Sequence, residues 1–395
     1  MRVLVNGLSI GAPSGRHVLY GHVRQLAQWT AAEHEWLIVH QAGEELPADL
    51  RLPNVRTHAA PERCRNWLSR TAWESWELPR LMRRAGVDLY FAPNGMILPR
   101  SPAPQATLAQ NPWCLTPSIH RTSVERFKGR LQRAAYRRAY SGADLMVYNS
   151  RHMQDLYARN ARGTTPAPAC IAYQGIDDAT HEAASRVSEN RDPWTILSVS
   201  VMAHWKGAET LIDALQCLRS RNLPARLRLV GPWPDAAYEA RIRRQIDDRN
   251  LQAAVEITGM LPLEELRAAY ASAQVFCLMS RCESFGIPAV EAQAFGTPVV
   301  GSNVCAMPEV CGAGGVFGPP DDAAATARLL EPLLTDNDHW SQLSLAARAN
   351  AAKYRWSECS QPLLSLFEMN ADRPRASRPA DHRAASVSRT SAAQR

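Results

Sequence analysis

The apolar positions of this 395-residue chain follow two alternating spacings. Short, nearly continuous apolar runs such as "RVLVNGL", "EWLIVHQ" and "GVDLYFAPNG" are typical of strands that are buried on both faces. Segments such as "HVLYGHVRQLAQWT" instead place apolar residues every three or four positions, as in an amphipathic helix. The first half of the chain therefore predicts strands that alternate with helices.

The same alternation begins again after a polar connector, "DATHEAASRVSENRDP". Strand–helix alternation in two blocks predicts an α/β fold with two doubly wound parallel sheets. We expect a Rossmann-like domain over 1–177, a linker over 178–193 and a second Rossmann-like domain over 194–352. The two domains would face a cleft, which is a favoured place for a small-molecule site. We expect a helix over 353–370 that packs back on the first domain.

The composition agrees with a soluble globular protein, because 46% of the residues are apolar and 21% are charged. No apolar run approaches the roughly 20 residues of a membrane-spanning helix. The first apolar run is too short for a signal peptide, so we expect a cytoplasmic protein.

The formal net charge of +7 is concentrated in two segments. Residues 121–138 carry six Arg and one Lys against one acid, Glu125. They predict a basic amphipathic helix, which either contacts an anionic membrane at its inner face or is a solvated, arginine-rich face. Residues 371–395 carry six Arg and two Asp and no aromatic residue, so we expect a disordered basic tail. Only the net charge and the basic tail would suit a nucleic-acid partner, so we expect no nucleic-acid partner.

The nine cysteines include no C-x-x-C pair and no Cys/His cluster with zinc spacing. We therefore expect no metal site and no resident cofactor.

Two glutamates, Glu283 and Glu291, flank a helix start in "ESFGIPAVEAQAFGTPVVGSN". Pro288 suits the first turn of that helix, and Gly296 ends it. The backbone N–H groups of Ser284, Phe285, Gly286 and Ile287, together with the helix dipole, predict a phosphate site. Glu291 would then accept the hydroxyls of a ribose, and Glu283 would meet the sugar beyond the phosphate. The alternative is a surface acid and a helix-start acid that only complements the dipole.

This segment and the following "VCAMPEVCGAGGVFGPPDDAAATARLLEPLL" resemble the signature of the family-4 retaining glycosyltransferases, or glycosyl transferases group 1. The resemblance implies the GT-B architecture and a nucleotide-diphosphate sugar as donor substrate. It implies that Glu283 contacts the donor sugar at the reacting carbon and that Glu291 holds the ribose. It also implies catalysis without a metal ion.

"SVSVMAHWKGAETLIDAL" resembles the family's strand, loop and helix that carry an Arg and a Lys for the diphosphate. Lys206 stands at the position of the Lys, and Val201 replaces the Arg. We expect Lys206 to be catalytic and His204 to assist in binding the donor. The alternative for Lys206 is a solvated lysine at a helix start.

Two loops of the first half are candidates for the acceptor side. "GAPSGRHVLYGHVRQLA" resembles the family's first glycine loop and contributes Gly11, Gly15 and Arg16. Gln110 and Asn111 occupy a region where many relatives carry a His, so we assign no catalytic base there. The alternative for either loop is a plain turn.

The sequence thus predicts a metal-independent retaining hexosyltransferase that moves a sugar to a glycan or lipid-linked acceptor, in cell-surface polysaccharide or glycolipid assembly. A front-face displacement fits a site with no evident base. The alternatives are a non-catalytic nucleotide-sugar-binding protein, or a nucleotide-sugar epimerase or phosphorylase on the same fold.

Overall fold

The computed structural model describes residues 1–10, 13–186 and 191–371, which divide into two compact units. The first unit contains Met1–Pro117, Arg121–Gly175 and the segment that begins at Trp356. The second contains Ser118–His120 and Ile176–Arg355.

The first unit is built on a seven-stranded sheet in which every strand pairing is parallel. Its strands are β1 (Arg2–Asn6), β2 (Glu35–Gln41), β3 (Val55–Ala60), β4 (Leu89–Ala92), β5 (Gln105–Ala109), β6 (Leu145–Tyr148) and β7 (Ala169–Ile171). They lie in the order β3-β2-β1-β4-β5-β6-β7. Strands β4 and β6 are buried at every position, which explains why their sequences are apolar without alternation.

Helices cover both faces of this sheet. They are α1 (Pro13–Trp29), α2 (Trp67–Ala85), α3 (Ser123–Gly142), α4 (Arg151–Asn160) and a final helix, Trp356–Ala371. Polar N-cap residues stand at the start of several of these helices. Thr122 and Glu125 form a capping box at α3, and Ser150 Oγ accepts from Met153 N at α4. The final helix belongs to this unit, because Leu363, Leu366 and Phe367 join its hydrophobic core.

The second unit is built on a six-stranded sheet, again with parallel pairings throughout. Its strands are β8 (Asp192–Val199), β9 (Arg226–Val230), β10 (Val255–Gly259), β11 (Ala273–Leu278), β12 (Val299–Ser302) and β13 (Gly315–Gly318). They lie in the order β10-β9-β8-β11-β12-β13, so β8 and β11 are central neighbours.

Eight helices accompany the second sheet in the described part of the chain. They are α5 (Asp178–Ser185), α6 (Ala208–Arg219), α7 (Ala236–Asp248), α8 (Leu263–Ser272), α9 (Ile287–Ala294), α10 (Met307–Cys311), α11 (Ala323–Thr335) and α12 (Asn337–Ala351). Helix α6 contributes Ile212, Leu215 and Leu218 to the core of this unit. Gln293 of helix α9 is fully buried, and its Nε2 donates to Cys311 O of α10 at 2.8 Å, which holds the two helices together.

The prediction of two parallel α/β sheets is confirmed, and several details differ. The segment 178–193, expected as a linker, contains α5 and the start of β8, and it belongs to the second unit. The boundary therefore follows Gly175. Strands β3 and β13 and helices α2 and α10 were not expected. The segment "VCGAGGVFG", which leads into β13, has no sustained apolar run. The basic tail from residue 372 onward and Gly11 lie outside the described residues.

None of the described helices combines the length and the apolar character that crossing a bilayer requires.

Gly207 connects the loop after β8 to helix α6, and its position requires a glycine. Its φ is +78°, in the left-handed region, and a Cβ there would lie 2.3 Å from the carbonyl oxygen of Met279. Gly259 has a similar φ of +70°, but a Cβ there would have no neighbour within 4 Å.

We expect Gly207→Ala to lower the free energy of unfolding more than Gly259→Ala does, as measured by urea denaturation. Both substitutions place an L-residue at positive φ, which costs about 1–2 kcal/mol. Only Gly207→Ala also forces a backbone carbonyl to move, and overpacking of this kind adds about 1–3 kcal/mol. Equal losses in the two variants would show that the backbone at Gly207 yields without strain.

Candidate functional site

Two loops meet at the carboxyl ends of β8 and β11, at the centre of the second sheet. The loop after β8 spans 200–207, and the loop after β11 spans 279–286. The carbonyl oxygen of Trp205 accepts from Arg281 N at 2.8 Å and from Ser280 Oγ at 3.1 Å. This carbonyl therefore ties the two loops together at the edge where parallel sheets bind their ligands.

Lys206 and Glu283 form an ion pair across these loops. Lys206 Nζ donates to Glu283 Oε1, and the two side chains are only 17% and 12% exposed. The charges attract each other more strongly than an exposed pair does, because less water surrounds them. The two residues that we expected to be catalytic are thus in direct contact.

Gly286 begins helix α9 immediately after this loop. Its φ is +91°, and a Cβ there would lie 2.6 Å from Met307 Sδ, so only glycine fits without displacing that side chain. The preceding residue, Phe285, is buried, and its ring meets the ring of Tyr354 edge-on at 5.5 Å between centroids. The start of the helix is therefore anchored on both sides.

The start of α9 has the features of an anion site. The helix dipole is positive at this end, and the N–H of Ile287, the first helical residue, has no acceptor within the helix, whereas Ala289 N donates to Gly286 O at 2.9 Å. Pro288 lies within the first turn, where its missing N–H costs no hydrogen bond. Ser284 and Ile287 are half-buried beside it. A phosphate bound at this end would lie next to the loop that carries Glu283.

Glu291 lies one turn further along α9 and is held by Tyr270 of α8. The Tyr270 hydroxyl donates to Glu291 Oε2 at 2.8 Å, and Thr297 Oγ1 donates to the Tyr270 carbonyl at 2.7 Å. Burial, and then the negative charge of Glu291, raise the pKa of Tyr270 well above its ordinary value. The phenol therefore stays protonated at neutral pH and keeps the carboxylate in one orientation.

Val201 stands at the position where the family resemblance calls for Arg. Its side chain is half-exposed and carries no charge. A different arginine, Arg281, lies two residues before Glu283. Its Nη1 donates to His204 O at 2.9 Å, and its Nε donates to Asp321 Oδ1 at 2.6 Å. Arg281 thus fixes the backbone of the loop that carries Lys206.

The His204 ring points toward another part of the same unit. Its Nε2 lies 2.8 Å from the carbonyl oxygen of Ile119, so this nitrogen carries the proton and donates. The ring also meets the Trp205 indole edge-on, with 4.9 Å between the centroids.

The residues proposed for the acceptor side lie in the first unit and have local partners. Gln110 Nε2 donates to Pro93 O at 2.9 Å, and Asn111 Oδ1 accepts from Trp113 N at 3.0 Å, which is the hydrogen bond of a turn. Arg16 Nε lies 3.2 Å from Glu44 Oε1. Gly15 lies in α1, where a Cβ would be 2.6 Å from Ile10 Cγ2.

The sequence reasoning missed Tyr270 and Arg281. Tyr270 lies 21 residues from Glu291 in a segment that reads as an ordinary amphipathic helix, so no spacing links the two. Arg281 had a signal that could have been used, because a basic residue directly precedes Cys282 and Glu283 in a loop at a strand's carboxyl end. Within the described residues, no group of three or more His, Cys, Asp or Glu could hold a metal ion.

Two family models match this chain. The model for glycosyl transferases group 1 matches residues 181–353, and the model for a glycosyl transferase 4-like domain matches residues 21–172. Each match falls largely within one of the two units, and together they cover most of the chain.

Curated relatives agree with the models. O-antigen chain mannosyltransferase B of Escherichia coli is 30% identical over 179 residues, which are 44% of this chain and 45% of that protein. D-inositol 3-phosphate glycosyltransferase of Corynebacterium diphtheriae is 28% identical over 263 residues, which are 63% of this chain and 62% of that protein. The aligned part is therefore less than two thirds of the length of either relative.

Solved structures show the same fold at low sequence identity. A glycosyltransferase from Rickettsia africae is 15% identical with a TM-score of 0.72, and the alignment covers 94% of this chain and 99% of that one. The Anabaena protein HepE, solved in complex with UDP and glucose, is 18% identical with a TM-score of 0.70 over 93% of this chain and 100% of that one. On the two family models, which together match most of the chain, the chain belongs to the glycosyl transferases group 1 family, and the solved structures show that its two parallel-sheet domains have the GT-B fold.

Proposed function

We propose that this chain transfers a hexose or deoxyhexose from a nucleotide-diphosphate sugar to an acceptor hydroxyl, with retention of the anomeric configuration. The observation that carries the proposal is the contact between Lys206 and Glu283 beside the start of α9. A fixed cation and a helix N-terminus suit a diphosphate, and an adjacent carboxylate suits the hydroxyls of a sugar.

In the proposed complex, the diphosphate binds between the start of α9 and Lys206. Glu291 accepts the ribose hydroxyls while it keeps its hydrogen bond from Tyr270, because a carboxylate offers about four acceptor sites on its two oxygens. Ser284, Phe285, Gly286 and Ile287 contribute backbone groups to the phosphates. Glu283 then meets the transferred sugar next to its reacting carbon.

The proposed reaction breaks the bond between the anomeric carbon and a phosphate oxygen and forms a bond from that carbon to the acceptor oxygen. The acceptor's proton passes to the leaving phosphate on the same face of the sugar. Lys206 stabilises the negative charge that develops on that phosphate, which is the part a metal ion plays in other enzymes. We propose that no metal ion is required. Glu283 orients the sugar and stabilises the positive charge that develops on it, and it is not assigned as a nucleophile.

We propose that the acceptor is a glycan or a lipid-linked glycan in cell-surface polysaccharide assembly, as the E. coli O-antigen relative suggests. Gly11, Gly15, Arg16, Gln110 and Asn111 remain our candidates for the acceptor side. His204 remains a candidate for the donor side.

A non-catalytic nucleotide-sugar-binding protein is the second candidate, because Val201 leaves the donor site with one cation fewer than the family resemblance implies. Binding of a nucleotide sugar without turnover, across a broad set of acceptors, would favour it. An epimerase would instead convert the donor in the absence of any acceptor, which NMR of the donor would detect.

We expect Glu283→Gln to reduce transfer by about 100-fold or more, because an uncharged amide stabilises the developing positive charge on the sugar less well. Donor affinity should change little. Glu264→Gln is the matched control, since that side chain is 80% exposed on α8. Near-normal transfer by Glu283→Gln would remove Glu283 from the mechanism.

We expect Glu291→Ala to weaken nucleotide binding by about 10- to 100-fold in calorimetry, because charge-assisted hydrogen bonds to the ribose are lost. Tyr270→Phe keeps the carboxylate and removes only its support, so its effect should be smaller and of the same sign. An unchanged affinity in Glu291→Ala would assign the ribose to another residue.

The nucleotide can be identified with a thermal-shift panel of UDP, GDP and dTDP sugars. A ligand that binds only the folded chain raises Tm, so we expect one base to give a clear increase. The increase should be smaller in Glu291→Ala than in the unaltered chain. If no nucleotide sugar raises Tm, the chain is not a nucleotide-sugar-binding protein under these conditions, and the proposal fails at its first step.

A further inference from the structure

A cavity of about 610 Å³ lies at one edge of the first sheet, between β3 and the loop that follows β2. Its apolar lining consists of Leu46, Leu50, Leu52 and Val55, which also pack on the hydrophobic core to which α1 contributes. Small-molecule sites have volumes of about 300–1,000 Å³ and are mostly apolar with a few polar groups. The cavity is therefore large enough to hold a ligand.

The loop that follows β2 is held against α1 at two points. Arg24 of α1 forms an ion pair with Asp49 in the middle of the loop. Asn54, at the end of the loop, donates from Nδ2 to Ala27 O of α1 at 2.9 Å. The loop wall of the cavity is thus fixed before a ligand binds, which lowers the entropy that binding costs.

A buried carboxylate, Glu44, lines the cavity where this loop leaves β2. Its side chain is only 7% exposed. Arg16 Nε of α1 lies 3.2 Å from Glu44 Oε1, and the Tyr20 hydroxyl donates to the same oxygen at 3.4 Å. The other oxygen, Oε2, is buried and has no hydrogen-bond partner among the residues that the structure describes. Because an unpaired buried acceptor costs free energy, Oε2 favours a ligand that supplies a donor.

Tyr20 keeps the first oxygen of this carboxylate occupied. Burial, and then the negative charge of Glu44, raise the pKa of Tyr20 above its ordinary value. The hydroxyl therefore stays protonated at neutral pH and remains a donor to Oε1. Oε2 is the oxygen that is left for a ligand.

Two further polar side chains line the same cavity. His40 Nδ1 lies 3.0 Å from Gln41 O, so Nδ1 carries the proton and Nε2 is an acceptor in the neutral ring. Thr57 of β3 pairs with Ile38 in the strand register, and His40 lies two residues further along β2 on the same face. The cavity thus combines a carboxylate, an imidazole and a hydroxyl with its apolar lining.

The charges around the cavity balance, which favours a neutral ligand. Glu44 and Glu45 line the cavity together with Arg51, and Arg16 pairs with Glu44. Two negative and two positive charges give no net attraction for either a cation or an anion. A sugar is neutral, carries hydroxyl donors at its edge and presents apolar C–H groups on its faces. These features suit an unpaired carboxylate oxygen beside an apolar wall.

We propose that this cavity binds a neutral sugar residue, with one sugar hydroxyl donating to Glu44 Oε2 and an apolar sugar face against the leucines of the loop. Strands β2 and β5 are three steps apart in the sheet, or about 14 Å at about 4.8 Å per step. The acceptor-side candidates Gln110 and Asn111, which follow β5, are therefore distant from the cavity. The bound sugar belongs to the acceptor glycan, away from the residue that receives the transferred sugar. The assignment of this sugar to the acceptor rests on the proposed function, whereas the binding itself does not.

The test is an NMR titration of the full chain, with labelled Leu and Val methyl groups and without a nucleotide. The neutral probes are methyl α-mannoside, methyl α-glucoside and methyl α-galactoside. We expect at least one of them to shift the methyl signals of Leu46, Leu52 and Val55, which line the cavity. The signals of Leu345, on α12 of the second unit, should stay in place. Glucosamine and glucuronic acid should bind more weakly, because they lose hydration of their charge and gain no net attraction.

Two variants test the contacts of the bound sugar. Glu44→Gln should weaken binding of the same probe by about tenfold or more, because hydrogen bonds to a charged group are the stronger ones. Thr57→Trp fills the cavity from an exposed position of β3 and should abolish binding. If Glu44→Gln lowers Tm strongly, Thr57→Trp still decides whether the cavity holds the sugar.

Glu77→Gln and Arg56→Trp are the matched controls. Glu77 is a partly exposed glutamate of α2, and it does not line the cavity. Arg56 is exposed and directly precedes Thr57, so its side chain lies on the opposite face of β3. Both variants should bind the probe as the unaltered chain does.

Three results would overturn the proposal. The neutral glycosides could all leave the methyl signals of the cavity unchanged, even at high concentration. Glu44→Gln and Thr57→Trp could both bind the probe as the unaltered chain does, which would place the sugar elsewhere. Glucosamine or glucuronic acid could bind more tightly than every neutral probe, which would assign a charged ligand to the cavity.

Nucleotide binding distinguishes a failure of the sugar site from a failure of the proposed function. The increase in Tm that a nucleotide sugar produces should be the same in Glu44→Gln and in the unaltered chain, because Glu44 lies in the first unit and the candidate donor site in the second. Glycoside binding without any response to nucleotide sugars would support the sugar site and contradict the proposed function. A response to nucleotide sugars without glycoside binding would contradict the sugar site alone.

Discussion

The candidate donor site depends on the attachment of one loop to another. The Trp205 carbonyl, in the loop with Lys206, accepts hydrogen bonds from the loop with Glu283. Arg281 of that second loop also donates to His204 O. If a lysine and a glutamate lay on two separate mobile loops, hydration of the charges and the loss of side-chain entropy would offset much of the attraction between them. Because the backbone is held, the ion pair keeps one geometry, and a phosphate meets a cation that is already in place.

The parallel sheet brings the parts of this site together. Lys206 and Glu283 are 77 residues apart, yet β8 and β11 are neighbours whose carboxyl ends meet at one edge. Helix α9 follows directly from that edge, so its positive end faces the region where the loops converge. Tyr270 reaches the same helix from α8 and orients Glu291.

Much of the fold and part of the site could be predicted from the sequence. Continuous apolar runs identified most central strands, because strands buried on both faces leave no room for polar alternation. The bounds of α9 were predictable, since Pro288 suits the first turn of a helix and Gly296 is typical of the position after its end. Arg281 and Tyr270 were not, because they act through carbonyls and carboxylates that are distant along the chain. The segment 178–193 was polar enough for a linker, but α5 packs in the second unit.

The most direct measurement of the central claim is the position of the diphosphate in a crystal structure of the chain with its nucleotide sugar. The account predicts phosphate oxygens within hydrogen-bonding distance of Lys206 Nζ and the first N–H groups of α9, with the sugar against Glu283. A diphosphate bound away from Lys206 and α9, with the Lys206–Glu283 pair undisturbed, would contradict it.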